Sequence, residues 1–595
     1  MQGSDAIGFD IEPCQARFVS SFPRTVSGAC CTIGNDKDGK NLAVCGTIRI
    51  FASSNQGKER KMEIKYPIGM QSFEQIRTEG YVYVDKTDLI YRLVKEGSIY
   101  FLGRPRRFGK SLLISTLENY FLGRRELFRG LAMEGLEKDW LEYPVFHVDF
   151  NGSNFTSGDS LKNRIESAVE GWEAIYGKDS SARDIGDRFA RVLERAHKQT
   201  GRRAVVLIDE YDKPLLDVMG MGIPSPVVAG EVKTLEDYNR NLLKGFYSVF
   251  QLADKDLQFV LLPGVTKFSQ VSVFSGFNQP RDISMDARYE TLCGITREEL
   301  LRVFDAPIRM LADKMKCGYE EMVERLTRKY DGYHFSENMT GVFNPFSILN
   351  CLDSQRMDNY WFSTGTPTYL VRLMKDNHES INEMTGRYYA PSDFIDYKAT
   401  IEKPLPMIYQ SGYLTIKDYD MEFNTYRLDF PNEEVRSGMT SLLVSDYFHT
   451  ETGRESWLMD VTRCLRRGDL PTFEKQLTSM LSNISYRFQR KQDAQECERH
   501  FQYTFFLILQ MIGRYSTYVE KETSEGRIDC VVECPEYVYI FEFKLNGSSQ
   551  AALQQIADKG YARPYAADSR KVYQVGISFS SKTGTIDGFD YLPKE

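Results

Sequence analysis

Long apolar runs are missing from this sequence. No stretch of 18 or more apolar residues occurs, which excludes an ordinary transmembrane helix. The first residues, MQGSDAIGFDIEPC, lack a basic segment followed by a long apolar one, so they do not read as a secretory signal. Histidine is scarce, six in 595 residues, and none stands at a zinc-ligand spacing. The eleven cysteines are scattered without a repeated CxxC pair, and they read as reduced thiols of a cytoplasmic chain. Basic charge is not in excess either. Lys and Arg number 75 against 83 Asp and Glu, a net charge of -8. Global charge therefore gives no support to a nucleic-acid partner, although a local basic groove is compatible with it.

What is present fits a globular protein with several cores. Apolar content is 42%, and Tyr and Phe are abundant at 35 and 37. A chain this long implies about three or four domains. Residues 1–61 stand apart, with Cys14, Cys30, Cys31 and Cys45, clusters of Gly, Ser and Asn, and no clear period. The expectation is a poorly defined leader, or residues upstream of a natural start at Met62.

The chemistry begins at Ser98–Leu117, SIYFLGRPRRFGKSLLISTL. An apolar strand ends at Gly103, a basic turn follows, and Gly109-Lys110-Ser111 opens a helical run. This is a phosphate cradle in outline. The spacing of GxxxxGK[ST] puts Arg104 where the first glycine would stand. Gly109 turns backbone amides onto phosphates, Lys110 reaches the β- and γ-phosphates, and Ser111 holds Mg²⁺. A surface turn containing GKS by chance is the bland alternative. The run Ala204 to Ile208, AVVLI, reads as a buried parallel strand ending in Asp209-Glu210. Asp209 would hold magnesium and Glu210 polarise the attacking water. A third strand, Leu257 to Leu262, leads to Thr266, the candidate γ-phosphate sensor, with Lys267 as the weaker one. Either could instead cap the next segment. A further strand is expected over Tyr143 to Phe150, with helices at Ser160–Tyr176 and Ser181–Lys198. This alternation predicts an α/β layer on a parallel sheet.

Five runs then carry a resemblance: YVDKT (83–87), RPRRFGKSL (104–112), VVLIDEYDKPL (205–215), GVTKFSQVSVFSG (264–276) and YDGYHF (330–335). Together they resemble the AAA-ATPase-like family of bacterial proteins that carry a C-terminal PD-(D/E)XK nuclease domain. The resemblance implies a P-loop NTPase that binds ATP, with Arg104 as a usual variant of the loop. It implies Lys110 and Ser111 as phosphate and metal residues and Asp209 with Glu210 as the Walker B pair. Arg106 and Arg107 stand nearby, and Arg107 joins Arg104, Gly109 and Thr266 among the expected nucleotide contacts.

Thr296 is expected to cap a helix, a second helix covers Tyr319–Tyr330, and YDGYHF makes a turn in which Asp331 fixes the backbone or meets the nucleotide. Residues 409–439 read as a small hairpin followed by a helix. The C-terminal part opens with an apolar helix over Glu498–Met511. Next come GRIDCVVE and YVYIFEFK, a hairpin. Strand period two puts Ile540, Glu542 and Lys544 on one face and Phe541 and Phe543 on the other. Glu542 and Lys544 then lie beside Asp529, where two carboxylates can share Mg²⁺ and a lysine can orient water. A solvated hairpin face is the plain alternative. Asp529 with Glu542-Phe543-Lys544 resembles the PD-(D/E)XK pattern, with Ile528 in place of the proline. That resemblance implies Glu498 as a further metal carboxylate, with Glu496 competing, and Gln555 as a supporting group.

The expected fold class is α/β. A P-loop core over 62–295 is followed by a helical lid and connecting region over 296–490. A restriction-endonuclease-like α/β domain over 491–595 completes the chain. The expected function is an ATPase coupled to a Mg²⁺-dependent nuclease acting on nucleic acid, DNA before RNA. A regulatory switch whose last domain binds without cutting is the alternative. A homo-oligomer or protein partner stays open, and no membrane is involved.

Overall fold

The computed structural model describes residues 64–182, 184–229, 232–267, 280–363, 384–395, 404–439, 454–482, 516–523, 526–580, 582–583 and 585–593. Only the backbone is described for 228–229, 454–459, 480, 482, 516–523 and 526–528, and for three short antiparallel strands between 33 and 51. The expected helix over Glu498–Met511, and Glu498 itself, lie outside the described residues.

Five parallel strands form the first sheet: β1 (Ile99–Gly103), β2 (Val145–Asp149), β3 (Ala204–Asp209), β4 (Leu257–Gly264) and β5 (Arg281–Asp282). Their spatial order is β5-β1-β4-β3-β2. Every residue of β3 is buried, because helices cover both faces of a parallel sheet. The apolar runs read from sequence become these strands, and the helix Ser160–Tyr176 forms with the bounds expected. Ligands of such sheets bind beyond the carboxyl ends of the strands. The loop after β1, Asp149 and Asp209 all sit at that edge, the two acids in register on neighbouring strands.

The middle region starts at the helix Arg297–Met315. Thr296 caps it reciprocally with Glu299, whose carboxylate also pairs with Lys86 Nζ at 2.6 Å. Its apolar face packs with Tyr330, Phe343 and Ile348 into a second core, on which Tyr66 and Ile68 lean. The expected helix Tyr319–Tyr330 follows, and after it the helix Pro345–Ser354 is capped by the Asn344 side chain. The expected hairpin forms from Thr415–Asp420 and Thr425–Asp429, and a third strand, Arg387–Tyr389, adds to its edge.

The C-terminal sheet runs β6 (Ser516–Thr523), β7 (Gly526–Glu533), β8 (Tyr537–Leu545), β9 (Lys571–Ser580) and β10 (Thr585–Pro593) in chain order. Only β8 and β9 are parallel, joined by the helix Ser549–Asp558. β10 pairs antiparallel with β9 and closes the sheet. Both faces of β8 are covered. Tyr539, Phe541 and Phe543 point to one side, where Phe473 meets Phe541 and Tyr539 Oη donates to the Leu465 carbonyl at 2.7 Å. Val538 and Ile540 point to the other side, against Ile556. The helices Arg454–Arg467 and Leu470–Ser482 thus belong to the packing of this sheet, ahead of the boundary expected at 491.

Candidate functional site

Two centres emerge. The first is the loop after β1. Gly109 adopts φ +90°, the left-handed conformation that glycine takes at low cost, and it caps the helix Lys110–Phe121. That helix therefore opens its N-terminal amides toward a cleft with about 1470 Å³ of unfilled space, counting its open mouth. Arg107, Gly109, Lys110, Ser111 and Glu210 line the cleft, with the segment Pro67 to Gln71 and Phe346 across from them. Lys110 is buried. Its Nζ donates to the carbonyls of Arg104 and Pro105, both at 3.2 Å, and lies 3.4 Å from Glu210 Oε1. Glu210 has φ +50°, a strained backbone for a non-glycine residue. Asp209 Oδ1 accepts from Glu210 N at 3.0 Å, and Ser111 stands beside its carboxylate. Burial pushes the Asp209 carboxyl above its ordinary range, and the Ser111 hydroxyl opposes that shift. Arg107 also has positive φ, +66°, and its guanidinium sits 4.9 Å from the Phe346 ring centre.

Two expected nucleotide contacts lie away from the cleft. Arg104 is 1% exposed and does not line the cleft. Its guanidinium donates to the carbonyls of Gly103 at 2.8 Å, Ser284 at 2.7 Å and Tyr289 at 3.2 Å, and stacks 4.0 Å from Phe335. It is an internal strut that ties the loop to the segment after β5. Thr266 is fully buried, and its hydroxyl meets Met407 Sδ at 3.8 Å instead of the cleft. Lys267 pairs with Asp282 at 2.9 Å. Asp331 lies buried in its turn, where its carbonyl accepts from Asn432.

Sequence reading missed two acids. Asp149 ends β2 opposite Asp209 and raises its pKa further. The signal was there, an apolar strand with an acid at its last position. Asp212 is the other. Its Oδ2 accepts from the backbone N–H of Val265 at 2.9 Å and Thr266 at 2.6 Å.

The second centre is on β7 and β8. Cys530 pairs with Phe541, so Asp529 comes next to Glu542. Asp529 Oδ2 accepts from Phe543 N at 2.9 Å. Glu542 is 1% exposed. Its Oε1 takes Gln555 Nε2 and stands 3.4 Å from Lys544 Nζ, which also donates to Gln555 Oε1 at 2.6 Å. Burial, with Asp529 beside it, pushes the Glu542 carboxyl up to about 7. Glu542 Oε2 is buried without a partner among the described residues. A hard cation would satisfy that oxygen, so the donor set fits Mg²⁺ held by two carboxylates and water. Among the described residues no group of three or more ligating side chains gathers, so water or residues beyond them would complete the shell.

Residues 67–274 match the family described as "Predicted AAA-ATPase", and residues 496–589 match the PD-(D/E)XK nuclease superfamily. A relative from Azotobacter chroococcum mcd 1, named "Uncharacterized protein in vnfD 5'region", is 34% identical over 533 residues, covering 88% of this chain and 98% of the relative. The solved Aeropyrum pernix Orc1 protein in complex with DNA is 10% identical. It covers 60% of this chain and 93% of that one at a TM-score of 0.22, too low to carry an argument. An AAA-ATPase-like domain and a PD-(D/E)XK domain are thus joined in one polypeptide, and the chain belongs to the family of AAA-ATPase-like proteins that end in a PD-(D/E)XK nuclease superfamily domain.

Proposed function

We propose that this protein hydrolyses ATP in the first centre and uses that cycle to control Mg²⁺-dependent phosphodiester hydrolysis in the second. The observation that carries the nuclease half is the buried, unpartnered Glu542 Oε2 beside Asp529 and Lys544. When bound, Mg²⁺ would polarise the scissile phosphate. Asp529 and Glu542 would hold the ion, and Lys544 would orient the attacking water, its ammonium steadied by Gln555. In the first centre Lys110 would move from the loop carbonyls to the β- and γ-phosphates. Ser111 and Asp209 would hold the nucleotide's Mg²⁺, and Glu210, released from Lys110, would position water. Arg107 and Gly109 would complete the phosphate contacts.

DNA is the substrate we favour over RNA, and the cytoplasm the compartment. Among the described residues no helix is long and apolar enough to cross a membrane. The deciding experiment incubates the full chain with plasmid, single-stranded DNA and RNA, with Mg²⁺ and with or without ATP. Cleavage that vanishes in Asp529→Ala and changes in Lys110→Ala supports the reading. ATP turnover without cleavage of any of the three would favour the non-cutting switch, a reading to which the Gln555 amide seated on Glu542 lends some weight.

A further inference from the structure

A second cavity lies beside the loop after β1, and none of its lining residues lines the nucleotide cleft. It is narrow, with about 510 Å³ of unfilled space counting its mouth. Phe101, Val265, Met285, Phe335 and Leu414 make its walls apolar. Two polar groups on that wall are at odds with their surroundings. Arg104 is 1% exposed, and its Nε has no hydrogen-bond partner among the described residues. Its other nitrogens reach only backbone carbonyls, and among the described residues no carboxylate stands within ion-pair distance. Tyr333 is also 1% exposed, and its hydroxyl has no partner among the described residues.

A buried guanidinium is ordinarily matched by an anion, and a buried hydroxyl by some partner, because water has been removed from both. Three other polar residues on the wall are already engaged. Ser284 Oγ accepts from Gly103 N, Thr415 Oγ1 bonds His334, and Lys267 pairs with Asp282. The open valences on the residues that line this apolar, aromatic-walled space therefore include a charged N–H and an O–H.

We propose that this cavity binds a small monocarboxylate with a flat or short apolar body. Its carboxylate takes the N–H donors of Arg104 and the O–H of Tyr333, and its body fills the space between Phe101, Phe335 and Leu414. A guanidinium suits this role because its planar donors match a carboxylate. The site also reaches the nucleotide cleft through one residue, since the carbonyl of the same Arg104 holds Lys110 Nζ.

The test follows the ¹⁹F NMR signal of 4-fluorobenzoate, and of its neutral isostere 4-fluorobenzamide, titrated into the full chain. The acid is expected to bind saturably and at least about tenfold more tightly than the amide, the scale of one charge-assisted hydrogen bond. Leu414→Trp, which fills the cavity, should abolish acid binding while the melting temperature and ATP affinity hold. Arg104→Met should weaken the acid to the level of the amide. If that variant does not fold, Tyr333→Phe replaces it and should weaken the acid several-fold. The proposal is overturned by equal affinity for acid and amide, or by acid binding that survives Leu414→Trp. It also falls if neither 4-fluorobenzoate nor isovalerate binds saturably up to about 10 mM.

Discussion

Lys110 Nζ stands 3.4 Å from the Glu210 carboxylate, and both side chains line the same cleft. The lysine also donates to the carbonyls of Arg104 and Pro105, so it rests on its own loop. Incoming phosphate must take the lysine from these partners and thereby free Glu210. The two residues should then separate binding from chemistry. Lys110→Ala should weaken ATP about 100-fold, since a charged contact to phosphate is lost. Glu210→Gln should bind ATP as the parent does and hydrolyse it about 10² to 10⁴ times more slowly, the scale of a general base. Titration with a fluorescent ATP analogue and a phosphate-release assay read the two effects. A Gln variant with parental turnover would remove Glu210 from the mechanism.

Asp212 binds the loop after β4 through two backbone N–H groups, and Tyr211 Oη donates to the Thr266 carbonyl at 2.6 Å. Gly264 allows this approach, because a Cβ there would stand 2.6 Å from the Tyr211 ring. Burial, and then the nearby Glu210, raise the Asp212 carboxyl. An uncharged acceptor should therefore serve almost as well. Asp212→Asn is expected to keep stability within about 1 kcal/mol, whereas Asp212→Ala strands two buried donors and should cost about 2–3 kcal/mol. Chemical denaturation of both variants decides. Equal losses would show that the hydrogen bonds do not matter.

Glu542 gives the C-terminal centre a pH dependence. Its carboxyl titrates near 7 in the fold against an ordinary value of 4.5. Between those limits the folded chain holds a proton that the unfolded chain has lost. The contribution of Glu542 to stability without divalent ions should thus be fully present below about 4.5 and be lost as pH rises through about 7. Glu542→Gln should lack this slope. Mg²⁺ needs the ionised form, so its affinity should rise from pH 6 to 8. Calorimetric titration in a Lys110→Ala background, where the nucleotide site is disabled, reads this. A flat profile would contradict it.

Gly576 lies on β9 against the helix Ser549–Asp558. A Cβ there would collide with the Ser549 carbonyl and stand 3.0 Å from Leu553 N. Gly576→Ala should push that helix off the sheet and take Gln555 away from Glu542 and Lys544. The expected result is a loss of nuclease activity of at least about tenfold with ATPase activity intact, because small displacements of catalytic groups are costly. Parental cleavage by this variant would mean that the helix is not needed to assemble the centre.

The amino-acid sequence by itself determined the elements and their chemistry. Continuous apolar runs set β1, β3 and β4, since both faces of a parallel strand are buried. Period two sorted Glu542 and Lys544 from Phe541 and Phe543, because successive side chains must face opposite sides of a strand. Gly109 before Lys110 announced the turn that only a left-handed residue makes easily. Where a side chain points from a loop was not legible in this way. Arg104 looked like a phosphate ligand beside Lys110, yet Ser284, Tyr289 and Phe335, about 180 to 230 residues further along the chain, draw it inward. Thr266 was placed correctly after its strand, but Met407 and Asp212 take its hydroxyl and its amide. Local pattern follows from backbone period and burial, which neighbours in sequence share. The direction of a loop side chain follows from partners that only the tertiary fold brings within reach.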